Sequence, residues 1–175
     1  HRIKDYDSTD PEVTAAISAH DILALTHQVR TVKAVRVNDA TSQTIPTGAW
    51  TAILFDAESE DTDAFHSTSS NTERLVAPEA GLYLVTGFVY LDPQTLGVVT
   101  VFQARIAHSD GSFHGRIHVP PIAGFATYGQ ALPVSALVRL SAAAYVQLEL
   151  FHDKTAAGTL TVNATDVSRL TMCKV

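Results

Sequence analysis

The chain has 175 residues, of which 46% are hydrophobic and 17% charged, with a formal net charge of −6. That length and apolar content suit one domain with a sizeable core and a small appendage. The acidic balance lacks the basic footprint that a nucleic acid backbone requires, and no apolar run approaches the length needed to span a bilayer. A charged share below the roughly one quarter usual for soluble domains implies that part of the surface is given over to subunit contacts. Cys173 is the single cysteine, which excludes an internal disulfide and suits a small buried hydrophobe, with a bridge between subunits as the alternative.

In chain order, residues 1 to 10 are polar and carry Arg2, Lys4, Asp5, Asp7 and Asp10, as an exposed arm would. Asp10-Pro11-Glu12 supplies a cap, a proline at the first helical position and an acid in the first turn, which predicts a helix to about residue 28. Ala15, Ser18, Ile22, Leu25, Val29 and Val32 recur at intervals of three and four, a heptad seam too short to hold a coiled coil unaided. Ile22, Leu25 and Val29 form a narrow stripe that suits like helices in a short stalk, or a groove on a partner. One amphipathic helix packed on the domain is the plainer alternative. The period changes near Val32, so residues 1–31 are expected to be an attachment segment and 32–175 a β domain.

Val32 to Val37 reads as a first strand, Asp39 to Ser42 as a loop, Ile45-Pro46-Thr47-Gly48 as a turn and Trp50 to Phe55 as a second strand. Asp56, Glu58, Glu60, Asp61 and Asp63 follow in a solvated acidic hairpin. Asp56, Glu58, Asp61 and Asp63 are the only calcium candidates, and they lack the glycine and ordered ligand spacing of a calcium loop. Arg74 to Ala77 is a short strand. Gly81-Leu82-Tyr83-Leu84-Val85-Thr86-Gly87-Phe88-Val89-Tyr90-Leu91 is a long one, entered through Pro78. Tyr83, Val85, Val89 and Leu91 project to one face and Leu82, Leu84, Phe88 and Tyr90 to the other, so neither face suits water. Tyr83, Val85, Phe88, Val89 and Tyr90 are therefore assigned to core or subunit packing.

Val98 to Ala107, a turn at Ser109-Asp110-Gly111-Ser112, and a strand ended by Pro120 and Pro121 come next. A loose connection through Phe125 and Tyr128 leads to strands at Val134 to Leu140 and Tyr145 to His152. In the latter Val146, Leu148 and Leu150 alternate with Gln147 and Glu149, which reads as half-buried. A final strand from about Thr159 breaks near Asp166. Many short strands at regular spacing argue an antiparallel sandwich.

The order and spacing of Phe55, Asp61, Leu75, Gly81 and Tyr83 resemble the signature of the complement C1q-like jelly roll, a relative of the tumour necrosis factor fold. Leu75 stands in place of a phenylalanine, Phe65 falls one position early for the middle aromatic, and Val85 and Gly87 replace the last two aromatics. The wording of Trp50 to Asp56, Arg74 to Pro78 and Tyr145 to Phe151 is similar to divergent C1q-like domains of bacteriophage virion and bacterial surface proteins. The resemblance implies an all-β jelly-roll sandwich behind a short N-terminal helix, and a homotrimeric habit.

No nucleophile elbow, zinc helix or phosphate loop surrounds any Ser, His or Asp, so no enzyme and no cofactor is expected. His114, Arg116 and His118 alternate on one strand and are expected to share a face, where the arginine disfavours a bound cation and suits an anion or sugar. His66, His108 and His152 sit at strand ends as ordinary hydrogen-bonded histidines. Asn163-Ala164-Thr165 is a glycosylation pattern that implies nothing by itself. The reading that follows is a trimeric knob of a virus particle, held by its N-terminal segment to capsid or tail proteins at the virion surface. The alternative is an extracellular or cell-surface module that recognises a glycan or protein.

Overall fold

The computed structural model describes residues 33–39, 41–93, 101–121, 127, 129–154, 160–162 and 168–175, all of which belong to one compact unit, Lys33–Val175. The expected helix with Ile22, Leu25 and Val29, the connection through Phe125 and Tyr128, and the Asn163 motif lie outside the described residues.

The strands are β1 (Ala34–Asn38), β2 (Gln43–Ile45), β3 (Thr51–Ala52), β4 (Ala57–Asp61), β5 (Arg74–Val76), β6 (Gly81–Leu91), β7 (Phe102–His108), β8 (Phe113–Val119), β9 (Gln130–Leu140), β10 (Tyr145–His152), β11 (Leu160–Val162) and β12 (Arg169–Lys174). They form two antiparallel sheets. The seven-stranded one runs β2-β11-β6-β12-β1-β4, with β9 on the other flank of β6. The five-stranded one runs β3-β10-β7-β8, with β5 also pairing β10.

β6 is the hub. It pairs with β9 from Gly81↔Leu140 to Leu91↔Gln130, and on its other side with β12 and the end of β11. Tyr83, Val85, Val89 and Leu91 are fully buried between the sheets, while Leu84 and Thr86 are exposed and Leu82, Phe88 and Tyr90 half-buried on the outer face. Phe65 meets Tyr83 edge-to-face at 6.3 Å, and Tyr83 keeps its hydroxyl satisfied by donating to the Glu79 carbonyl at 2.8 Å. Leu75, in its phenylalanine-like place, is fully buried. At Gly87 a Cβ would stand 2.8 Å from Leu148 Cδ1 and 3.1 Å from Val134 Cγ1, so the side chain missing from β6 is replaced by one from the opposite sheet.

Several expectations are corrected. The acidic hairpin is instead the edge strand β4, paired to β1 with a register shift between Arg36 and Val37; its carboxylates blunt an edge that would otherwise recruit another strand. The segment Trp50 to Phe55 is strand only at Thr51–Ala52, and Gln43–Ile45, expected as loop and turn, pairs with β11. The last strand is broken as expected: its register on β6 passes from Val162↔Leu91 to Arg169↔Phe88, seven residues against three. β9 starts earlier than Val134 and runs through Pro133, which is tolerated because β9 is an edge strand pairing only β6.

Truncating Tyr83 to alanine removes the largest fully buried side chain and its edge-to-face partner together. Urea unfolding of Tyr83→Ala should show a loss of about 3–5 kcal/mol. A loss below about 1 kcal/mol would contradict the inward placement of this residue.

Candidate functional site

The outer face of the seven-stranded sheet carries a small exposed apolar patch, bordered by Thr86, Ser135, Thr171 and Arg139. Leu84 and Leu137 pair directly across β6 and β9 while remaining 43% and 57% exposed. Cys173 flanks Leu84 on the other side, and Ala34 lies beyond it. Cys173 is half-buried on this outer row and not in the core, because its neighbour Met172 takes the inward position. Phe88 and Tyr90 lie further along the same face, with the Arg169 guanidinium 5.5 Å from the Phe88 ring. The sequence-derived packing set thus divides, with Tyr83, Val85 and Val89 facing the core and Phe88 and Tyr90 facing outward.

The outer face of the five-stranded sheet is built differently. Arg105 donates through Nε to Glu149 Oε2 at 2.7 Å, and Gln147 Nε2 donates to Glu149 Oε1 at 2.8 Å. The Arg105 guanidinium lies 4.0 Å from the Trp50 ring centroid and 5.1 Å from that of Phe113, and Trp50 packs on Phe151 at 5.5 Å. Glu149, expected to face solvent, is only 9% exposed because this cation and its aromatic neighbours cover it. Arg116 reaches the same cluster, bonded to Gln103 and 5.5 Å from Trp50.

His114, Arg116 and His118 do not form one row. β8 carries an extra residue opposite β7 between Ala104 and Ile106, with Gly115 at φ +57. That bulge flips the alternation, so His114 pairs with Ile106 on the inner side while His118 pairs with Gln103 on the outer side with Arg116. Gly115 admits no side chain, since a Cβ there would lie 2.3 Å from the Ser135 carbonyl oxygen.

The acidic residues each have a separate internal partner. Asp61 accepts the backbone N–H groups of Asp63, Phe65 and His66; Glu58 lies 2.8 Å from His66 Nδ1; Asp63 pairs with Lys33 at 2.8 Å; and Asp56 accepts from Thr41. Lys33 and Lys174 both reach Glu79, whose carboxyl is held below its ordinary value by hydrogen bonds from these two cations. Among the described residues no three His, Cys, Asp or Glu side chains are grouped to hold a metal ion, and no helix is long and apolar enough to cross a membrane. His152 is buried, with Nε2 donating to the Ile45 carbonyl and Nδ1 accepting from the Lys154 N–H; burial holds its pKa below the ordinary value.

Asp39, read as a loop residue, is 1% exposed at the end of β1, and neither carboxylate oxygen has a hydrogen-bond partner among the described residues. Burial pushes its carboxyl up to about 6, and nearby Ser168 tempers the shift without matching it. Nothing in the local sequence signals this burial, which arises from the closing pair between the Asp39 N–H and the Ser168 carbonyl at 3.3 Å.

No protein-family model and no curated protein matches the sequence. Solved structures do match in shape. Murine APRIL superposes with TM-scores of 0.60 and 0.61 in two structures, at 7% identity, covering 83% of this chain and 100% of that one. The globular domain of the zebrafish complement 1qA protein superposes with a TM-score of 0.55 at 12% identity, covering 82% and 97%. The fold is a C1q/TNF-like jelly roll. At these identities the likeness is one of fold, and the jelly roll carries no assignment of ligand with it.

Two outcomes follow from this geometry. Arg105→Ala removes the charge partner of the Glu149 carboxylate and leaves it the Gln147 amide alone, which should cost about 1–3 kcal/mol in urea unfolding, whereas the double variant with Glu149→Gln should recover part of that loss. Asp39→Asn should change stability with pH. The folded-state value of about 6 lies above the ordinary 3.8, so the neutral form stabilises the native state fully below 3.8 and that stabilisation is lost as pH rises through 6. The variant should therefore exceed the parent by up to about 3 kcal/mol near pH 8 and match it near pH 4, read by thermal melts at both.

Proposed function

We propose that this jelly roll is a non-enzymatic, self-associating structural module, a homotrimeric knob of a virus particle attached through residues 1–31 to capsid or tail proteins. The observation that carries the self-association is the exposed Leu84–Leu137 pair on the outer sheet face, with half-buried Leu82, Phe88 and Tyr90 on the same side of β6. A single copy leaves this face in water, and another copy of the same face or its rim is the partner of matching chemistry. The virus-particle placement rests on the wording of the Trp50, Arg74 and Tyr145 segments, which resembles divergent C1q-like domains of bacteriophage virion and bacterial surface proteins. The second reading, a surface-displayed recognition module, is favoured by exposed Phe113, Arg116 and His118 on the opposite sheet.

Light scattering on the full chain at micromolar concentration should give three times the monomer mass. Leu84→Glu with Leu137→Glu should give a folded monomer by circular dichroism, and a chain lacking 1–31 should remain trimeric while losing retention on the purified candidate head or tail protein. A parent chain that runs as a monomer would remove the self-association, and retention without 1–31 would move attachment onto the β domain.

A further inference from the structure

Among the described residues three non-glycine positions have left-handed backbone, Ala64 at φ 56, Asn71 at φ 49 and Ala143 at φ 64. All three line one cavity of about 490 Å³, formed by the segment between β4 and β5 and the β9–β10 turn. Two of them are alanines, which have no side-chain hydrogen bond to offset the steric penalty of that conformation. The surroundings hold them there. Asp61 fastens the backbone N–H groups of Phe65 and His66, Arg74 N–H donates to the Asn71 carbonyl at 3.0 Å, and Ala143 N–H donates to the Ala77 carbonyl at 2.9 Å. His66, with its side chain fully buried, has its ring nitrogens turned to Glu58 and the Thr72 carbonyl. The walls are thus held by backbone hydrogen bonds, and the cavity's size falls within the range of about 300–1,000 Å³ that small-molecule sites occupy.

Its chemistry is specific. Arg74 stacks on the Tyr145 ring at 4.3 Å, and its Nε lies 2.9 Å from Glu73 Oε1 without the alignment of a hydrogen bond. The two Nη ends of the guanidinium donate to no other described residue. They present the flat fork that pairs with a carboxylate. Beside it stand the hydroxyl of Ser70, the hydroxyl of Ser67, whose oxygen already accepts from the Ser69 and Ser70 N–H groups at 3.4 and 3.3 Å, and the exposed amide of Asn71. We propose that this cavity binds a carboxylated sugar unit, with Arg74 on the carboxylate, Ser67, Ser70 and Asn71 on ring hydroxyls, and Tyr145 against the apolar face of the ring. The concave shape between two loops, open to solvent on one side, has room for one ring, and comparison with an extended acidic peptide separates the two classes of ligand. The inference is independent of the trimer and of where the particle carries it.

Titration calorimetry of the full chain tests it with glucuronate and N-acetylneuraminate as probes, and with glucose, acetate and a tetra-glutamate peptide as comparisons. At least one acidic sugar should saturate with Kd about 1 mM, while glucose and acetate should not. Arg74→Gln should weaken binding by about tenfold or more, as the loss of a charge-assisted contact does. Because Arg74 also packs on Tyr145, Asn71→Gly provides the second variant: glycine accepts φ 49 without strain, so the fold is kept while the amide contact is lost and binding weakens. Failure of both acidic sugars to saturate, equal binding of acetate or of the peptide, or unchanged affinity in both variants would each overturn the assignment.

Discussion

Leu148 of β10 occupies the space that a side chain at Gly87 of β6 would fill, and the two sheets can approach only because of that exchange. Around this contact the central strand buries Tyr83, Val85, Val89 and Leu91 on its inner face. The interlock fixes the register of β6, since a slip of one residue would bring Thr86 or Phe88 against Leu148 and turn Tyr83 to the outer face. Both flanks of β6 are then committed, one to β9 over eleven residue pairs and the other to β12 and β11. Only the outer face of the hub is left, and it carries the apolar patch.

The sandwich deals with its open edges in three different ways. β4 exposes Glu58 and Glu60 at its middle, where like charges oppose pairing with another chain. β9 places Pro133 in its run, which removes a donor from the edge. β8 bulges at Gly115 and brings its backbone against the Ser135 carbonyl of β9, so the edge of one sheet is closed against the edge of the other. These devices discourage edge-to-edge growth while leaving the sheet face around Leu84 and Leu137 open to a defined partner.

What the sequence revealed was governed by periodicity. The inner and outer sets of β6 were legible because alternation is a local property, and so were β10 and the broken final strand. The bulge in β8 was not legible, because Phe113 to Val119 alternates plausibly and only the long-range packing of Gly115 on β9 shows where the period fails. Trp50 to Phe55 looked like a strand because Trp50, Ile53 and Phe55 are apolar, yet Ile53 and Phe55 are buried beyond the end of the short β3. The acidic segment offered calcium-like chemistry in composition. Its carboxylates are divided among Lys33 and Thr41 from earlier in the chain and the nearby His66 ring and backbone N–H groups of Asp63, Phe65 and His66, and composition alone does not encode that division. The cavity around Arg74 was invisible because its walls come from two loops some seventy residues apart in sequence.

Charge is spent differently on the two outer faces, and this separates their roles. On the five-stranded sheet Arg105 and Glu149 are covered, hydrogen-bonded and flanked by Trp50 and Phe113, so removing either partner leaves the other covered and without its opposite charge. Such a cluster fixes the positions of large rings at a surface and needs no partner to be satisfied. On the seven-stranded sheet, the exposed Leu84 and Leu137 have no such cationic cover among the described residues, while the Arg169 guanidinium lies 5.5 Å from the Phe88 ring. Burying that face on association releases apolar surface from water without stripping a tightly hydrated charge from the centre of the patch. A low overall charge content is therefore compatible with a stable surface here: the ionic groups of the Lys33–Glu79–Lys174 corner and of the Arg105–Glu149 pair satisfy one another, and the Leu84–Leu137 patch stays exposed.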